Sequence, residues 1–185
     1  MKSLFAAFTA LLFAFSANAQ SVDLAASNLK WTGSDVTGKT HYGSLSFTKA
    51  DLELKRGDLV GGTFEIDMTT LKVEDLTGEW ADKLAGHLSS DDFFSIDKFE
   101  KAFLLLNDVS KMRDGSFHAK ADLTIKGITH PAEVHFTPNG KEGFTASMTF
   151  NRALYDVKFR SGSFFENLGD KLILDDIKLE ATLAF

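Results

Sequence analysis

Three stretches of this chain place an apolar side chain at every second position: His118–Lys126, Gly143–Asn151 and Asp176–Phe185. The positions between carry Lys120, Asp122, Thr145, Ser147, Lys178 and Glu180. Successive side chains on a β-strand point to opposite faces. Each stretch is therefore a ribbon with one polar and one apolar face. A chain built largely of such ribbons must turn the apolar faces toward one shared interior. A filled interior makes a structural protein; a hollow one makes a binding protein.

Shorter segments repeat the pattern. Strands are expected around Leu29–Val36, Tyr42–Thr48, Asp51–Lys55, Thr63–Thr69, Phe99–Val109 and Ala132–Thr137. Arg56-Gly57-Asp58, Arg113-Asp114-Gly115 and Pro138-Asn139-Gly140 supply turn chemistry between them. Gln20–Asn28 reads as a polar lead-in and Phe159–Leu168 as a loop. Residues 70–98 break the alternation: Trp80, Leu84 and Leu88 recur at helical spacing. One short helical insertion is expected around residues 78–95, packed on the mouth or flank of the sheet. Phe103-Leu104-Leu105-Leu106 is apolar on both faces, which predicts an outer cover, and the helix is the available one. Eight to ten strands joined by hairpins, with no alternation of strands and helices, predict an all-β fold. An eight-stranded (up to ten) antiparallel up-and-down barrel is favoured, because closure removes exposed edges.

The N-terminus reads as a secretory leader. Lys2 precedes a short apolar run from Leu4 to Phe15, and Ala17-Asn18-Ala19 is a small-x-small cleavage site. The run is shorter than the roughly 20 apolar residues a membrane helix needs. Residues 1–19 are thus the expected signal peptide and 20–185 one domain, exported to the periplasm or secreted. Fourteen of the eighteen Phe lie in that domain, beside only two Trp and two Tyr. Phe has no polar handle, so this excess suits a dry interior, hollow or filled.

Composition also narrows chemistry and partners. The chain carries a formal charge of −6, and losing Lys2 with the leader makes it −7. No Lys/Arg cluster relieves this, so no nucleic-acid partner is expected. With no Cys there is neither a disulfide framework nor a thiol nucleophile. The five His (His41, His87, His118, His130, His135) show no metal-binding spacing, and His118 and His135 fall on the polar face. No Gly-x-Ser-x-Gly is present; Ser161-Gly162-Ser163 reads as a loop, and Asp91-Asp92 and Asp175-Asp176 as caps or turns. No catalytic residue, metal or cofactor is assigned, and the reading is non-enzymatic. The terminal strand ending in Phe185 also suits an outer-membrane barrel. Scarce Tyr and Trp and the helical insertion argue against stable membrane insertion.

Specific segments resemble the YceI-like family. Thr40-His41-Tyr42-Gly43 resembles its early "TH-x-G" strand. His87-Leu88-Ser89-Ser90-Asp91-Asp92-Phe93-Phe94 resembles its "HL-x-S-x-D-F-F" stretch, and Leu123–Pro131 its "L-T-I-K/R-G-x-T-x-P". Asn151-Arg152, Tyr155 and Gly169-Asp170 resemble its C-terminal third. The resemblance covers Leu29–Phe185 in order. It implies a lipocalin-like barrel in the periplasm, enclosing a long apolar tunnel for a polyisoprenoid or other long-chain amphiphile. Alternation and resemblance together nominate Leu45, Phe47, Phe64, Ile66, Met68, Phe103, Leu105, Leu123, Ile125, Val134, Phe136, Met148, Phe150, Ile177, Leu179 and Leu183 as tunnel lining. Phe93, Phe94, Phe164 and Phe165 are nominated for its rim. The expected partner is a long-chain lipid or isoprenoid of polyprenyl or prenyl-quinone type. A homodimer through an outward apolar patch near Leu104 and Leu106 is an open alternative, as is a ligand-free structural or stress-related barrel with a filled core.

Overall fold

A computed structural model describes residues 18–185 of the chain. The expected leader lies outside the described residues, apart from Asn18 and Ala19. Among the described residues there are nine strands: β1 (Asn18–Ser21), β2 (Asp23–Ser34), β3 (Thr40–Lys55), β4 (Asp58–Val73), β5 (Lys101–Lys111), β6 (Phe117–Ile125), β7 (Ile128–Pro138), β8 (Gly143–Asn151) and β9 (Asp176–Ala184). A single helix, α1 (Glu79–Ser89), follows β4. Strands β2 to β9 run in sequence around a closed antiparallel barrel, with β2 sealing the ring between β3 and β9. The extra strand β1 continues β2 along β3, pairing Ser21 with Asp51 and Asn18 with Leu54. The fold is the expected eight-stranded antiparallel barrel with one helix.

Several boundaries differ from expectation for local reasons. The supposed lead-in is strand. Its alternation is hidden because Asp23 Oδ1 accepts from the backbone of Ala25 and Ala26 and interrupts the ladder. The segments 42–48 and 51–55 are one 16-residue strand. Its inward phase moves from Leu45 and Phe47 to Ala50, Leu52 and Leu54 across an irregularity between Phe47 and Lys49. One extra residue at a bulge reverses the facing of all that follows. The β3–β4 turn places Arg56 at φ 55 and Gly57 at φ 88. Two successive left-handed residues match the right-handed twist of the flanking strands.

Strand β5 corrects two nominations. Ala102, Leu104 and Leu106 face the core, whereas Phe103 and Leu105 are 43% and 47% exposed on the outer wall. Register fixes this phase: Leu104 stands between Phe64 and Leu123, both inward, while Phe103 stands between Glu65 and Thr124. Phe103 and Leu105 therefore line no tunnel. Leu104 and Leu106, expected in an outward patch, are core. The helix does not cover this strand; it packs against β4.

The ends of the barrel differ. At one end the hairpins 55–58, 111–117 and 138–143 close over Val22, Leu52, Leu59, Phe117 and Phe144, all buried. At the other, α1 and the segment 152–175 lie across the opening. Strand β8 stops at Asn151, and 3-10 turns occupy Arg152–Tyr155 and Gly169–Lys171. A separate cluster of Trp31, Leu88, Phe93 and Val157 packs these covers onto the barrel. Lys30, Lys101, Lys120, Glu133, Lys178 and Thr149 stand on the outer wall. That polarity is the reverse of a lipid-facing barrel, whose outside must be apolar.

Candidate functional site

The barrel is hollow toward the covered end. A cavity of about 350 Å³ opens there, its wall almost wholly apolar. Among the nominated residues Leu45, Met68, Ile125, Phe150 and Ile177 line it, together with Phe93 and Phe94. Deeper in, Phe47, Phe64, Val134, Phe136, Met148 and Leu183 surround a further void of about 50 Å³. Ile66, Leu123 and Leu179 border both spaces, as does Leu29. The cavity then ends. Phe64 packs on Phe47 at 6.0 Å between ring centres and on Phe136 at 6.4 Å. Phe144 meets Phe136 at 6.3 Å, Phe117 at 6.0 Å and Phe185 at 6.0 Å. The long tunnel implied by resemblance is thus a blind pocket, open at one end and floored by phenylalanine rings.

Phe164 and Phe165 correct the nominated rim. Both are exposed on the outside of the 152–175 segment and neither lines the cavity. Its wall near the opening comes instead from Trp31, Leu84, His87, Leu88, Phe159 and Ile173. Of these, only the helical face of α1 was legible in the sequence. The others sit in a turn-rich segment or stand alone on a strand, where no periodicity reveals facing.

Local chemistry holds this wall in place. Trp31 Nε1 donates to the Lys72 carbonyl across β3 at 3.1 Å. The indole crosses directly over Gly43, where an added Cβ would lie 2.9 Å from Trp31 and 1.7 Å from the Lys72 oxygen. Only glycine allows that approach. Arg152 is fully buried. Its guanidinium donates to the carbonyls of Leu174, Val157 and Ile173 at 3.2, 3.2 and 3.1 Å, and pairs with Asp175 at 3.1 Å. Burial pulls its pKa below the usual value, with Asp175 opposing. Asp175 also accepts from the Ser161 and Ser163 hydroxyls at 2.8 and 2.7 Å. One arginine and one carboxylate thereby tie both ends of the 152–175 segment together, and the Ser161-Gly162-Ser163 hydroxyls are spent on structure.

Charged groups stand only near the opening. Lys39, Arg160, Lys171, Asp35, Asp170 and His41 border the cavity there. Asp35 is occupied by its own turn, accepting from Thr37 Oγ1 and from the amides of Thr37 and Lys39, and the Thr37 hydroxyl foremost holds its pKa low. His41 Nδ1 lies 2.6 Å from Asp75. Burial would raise the Asp75 carboxyl, but the Tyr42 amide and His41 outweigh it and hold its pKa below the ordinary value. Tyr155, in the turn after β8, is buried against Phe150 and His130, and burial pushes its phenol to about 12. His87 is not on the surface: it lines the cavity, 5.1 Å from the Phe93 ring and 4.4 Å from Phe159. His118 and His135 do lie on the outer wall, in contact with each other. Among the described residues no group of His, Asp or Glu is arranged to hold a metal ion, and no helix is long and apolar enough to cross a membrane.

Comparison with known proteins agrees with this architecture. BcnA of Burkholderia cenocepacia superposes with a TM-score of 0.69 at 16% identity, over 89% of this chain and 99% of that one. A polyisoprenoid-binding domain from Saccharophagus degradans, implicated in plant cell wall breakdown, superposes at 0.56 and 14% identity, over 88% and 95%. At such identities the likeness concerns the fold. A UPF0312 protein of Staphylococcus aureus is 31% identical over 109 residues, 54% of this chain and 59% of that protein's length. The profile of the YceI-like domain matches residues 14–185, and the chain belongs to that family.

Proposed function

We propose that this protein is a non-enzymatic periplasmic carrier. It holds a long-chain isoprenoid of polyprenyl or prenyl-quinone type, or another amphiphilic lipid, in its barrel. The observation that carries this reading is the apolar cavity of about 350 Å³ at one end of the barrel, with the smaller void deeper in. That volume lies at the lower end of the roughly 300–1,000 Å³ range of small-molecule sites. Each buried CH₂ adds about 0.8 kcal/mol before the costs of association, so affinity grows with the length of chain the cavity takes up. The binding named for the Saccharophagus domain of the same fold supports the ligand class, and the leader pattern in residues 1–19 supports export.

The test is organic extraction of protein purified from its native cell envelope, followed by mass spectrometry and add-back of prenyl alcohols and prenyl quinones. A co-purifying chain lipid, and saturable rebinding at one site per chain, are expected. A clean extract with no rebinding sinks the carrier reading in favour of a ligand-free barrel.

A further inference from the structure

The cavity is polar at one end only, and one residue of its wall carries a buried polar atom without a hydrogen-bond partner. Among the described residues, two buried side-chain polar atoms lack a hydrogen bond: His87 Nε2 and Asp175 Oδ1. Asp175 Oδ1 is 3.1 Å from Arg152 and so has an ionic partner. The His87 imidazole has Phe93 and Phe159 set nearly edge-to-face against it, at 5.1 and 4.4 Å between ring centres. A buried hydrogen-bonding group left without a partner costs about 1–3 kcal/mol. An N–H directed at a ring recovers only part of that.

From these facts we infer that the ligand enters tail-first and that His87 holds a neutral oxygen at its head, a hydroxyl or a carbonyl. The inference rests on the carrier reading. Direction follows from the blind floor: beyond Phe47 and Phe64 there are only apolar walls and packed rings. A polar end sent there would lose its water and gain no partner. The class of head group follows from the surroundings of His87. Neutral imidazole offers one donor and one acceptor, so it can meet either a hydroxyl or a carbonyl. Leu84, Leu88, Phe93 and Phe159 share its stretch of wall and provide no counter-ion for a charged head. Two cations stand one ring away in this stack: Arg152, 5.4 Å from the Phe93 ring and spent on Asp175 and three carbonyls, and Arg160, which is exposed with its guanidinium 5.0 Å from the Phe159 ring. A phosphate would therefore sit at the mouth on Arg160, not at His87.

Three probes of one chain length separate these cases: geraniol, the same hydrocarbon without its hydroxyl, and geranyl diphosphate. Affinities are measured by calorimetry on delipidated wild-type protein and on His87→Leu, His87→Gln and Arg160→Gln. His87→Leu should weaken geraniol roughly threefold to tenfold, the span of one net hydrogen bond. It should change the hydrocarbon less than twofold. His87→Gln, which keeps a donor and an acceptor, should retain most of the preference for the alcohol and guards against loss of fold as the cause. An alcohol-to-hydrocarbon ratio unchanged by His87→Leu overturns the assignment, because His87 then only packs. Diphosphate binding tighter than geraniol, and lost in Arg160→Gln, overturns the neutral head. Geraniol bound no more tightly than the hydrocarbon by wild type leaves the carrier reading standing and removes this one; no binding of any probe removes both.

Discussion

Phe64 tests the floor of the cavity most directly. Its ring is 5% exposed and touches Phe47 on one side and Phe136 on the other. It borders the deeper void of about 50 Å³, which adjoins the main cavity through Ile66, Leu123 and Leu179. Phe64→Ala deletes one of the rings around the deeper void and enlarges it. The neighbouring rings are held by their own strands and cannot collapse into the gap, so the cost should fall within the roughly 3–5 kcal/mol typical of buried Phe→Ala. The same deletion lengthens the pocket by about a ring, room for one further isoprene unit. Five more carbons at about 0.8 kcal/mol each could return up to about 4 kcal/mol in binding. Urea denaturation of delipidated protein reads the first effect, through the midpoint at constant slope. Repeating it with prenyl alcohols of increasing length reads the second, because a ligand stabilises the folded state in proportion to its affinity. The variant should prefer a chain one isoprene unit longer than wild type does. A loss below about 1 kcal/mol, or the same length preference in both proteins, refutes the packed floor.

Arg152→Leu should cost about 3–5 kcal/mol in urea melts, because it leaves Asp175 half-enclosed without its cation and frees three carbonyls. Protease should then cut first within residues 152–175. Asp75 contributes a pH dependence. Its folded pKa lies below the unfolded value of about 3.9, so its stabilisation is complete above that value and lost as pH falls through the lowered folded one. Asp75→Asn should therefore be less stable than wild type at pH 7, and the two should converge below about pH 4; a gap that persists in acid counts against the His41–Asp75 latch. Finally, Leu105→Ser should change stability by less than about 0.5 kcal/mol, whereas Leu104→Ser should cost several times more. Equal costs would mean that the facing of β5 is misassigned.

Much of the barrel was legible because it is written in period two. Leu123 and Ile125, Val134 and Phe136, Met148 and Phe150, Ile177, Leu179 and Leu183 all face inward as their alternation requires. The tetrapeptide Phe103–Leu106 carried no such information. All four residues are apolar, so only the ladders to Glu65 and Thr124 on one side, and to Phe64 and Leu123 on the other, decide which pair is core. The mouth was illegible for a different reason. Trp31, His87, Phe159 and Ile173 come from three distant segments, brought together by Gly43, Arg152 and Asp175 through contacts that no local pattern encodes.

The sequence by itself determined that the chain would make antiparallel ribbons, close them around an apolar interior and interrupt them once with a helix. Those outcomes depend on spacing along the chain, which is local. Only the tertiary structure decided how much of the interior is empty. Whether a phenylalanine fills a void or borders one depends on what stands across the barrel, and that neighbour is set by register and closure. The same residue type thus plugs one end at Phe117 and Phe144 and lines a cavity at the other with Phe93 and Phe150.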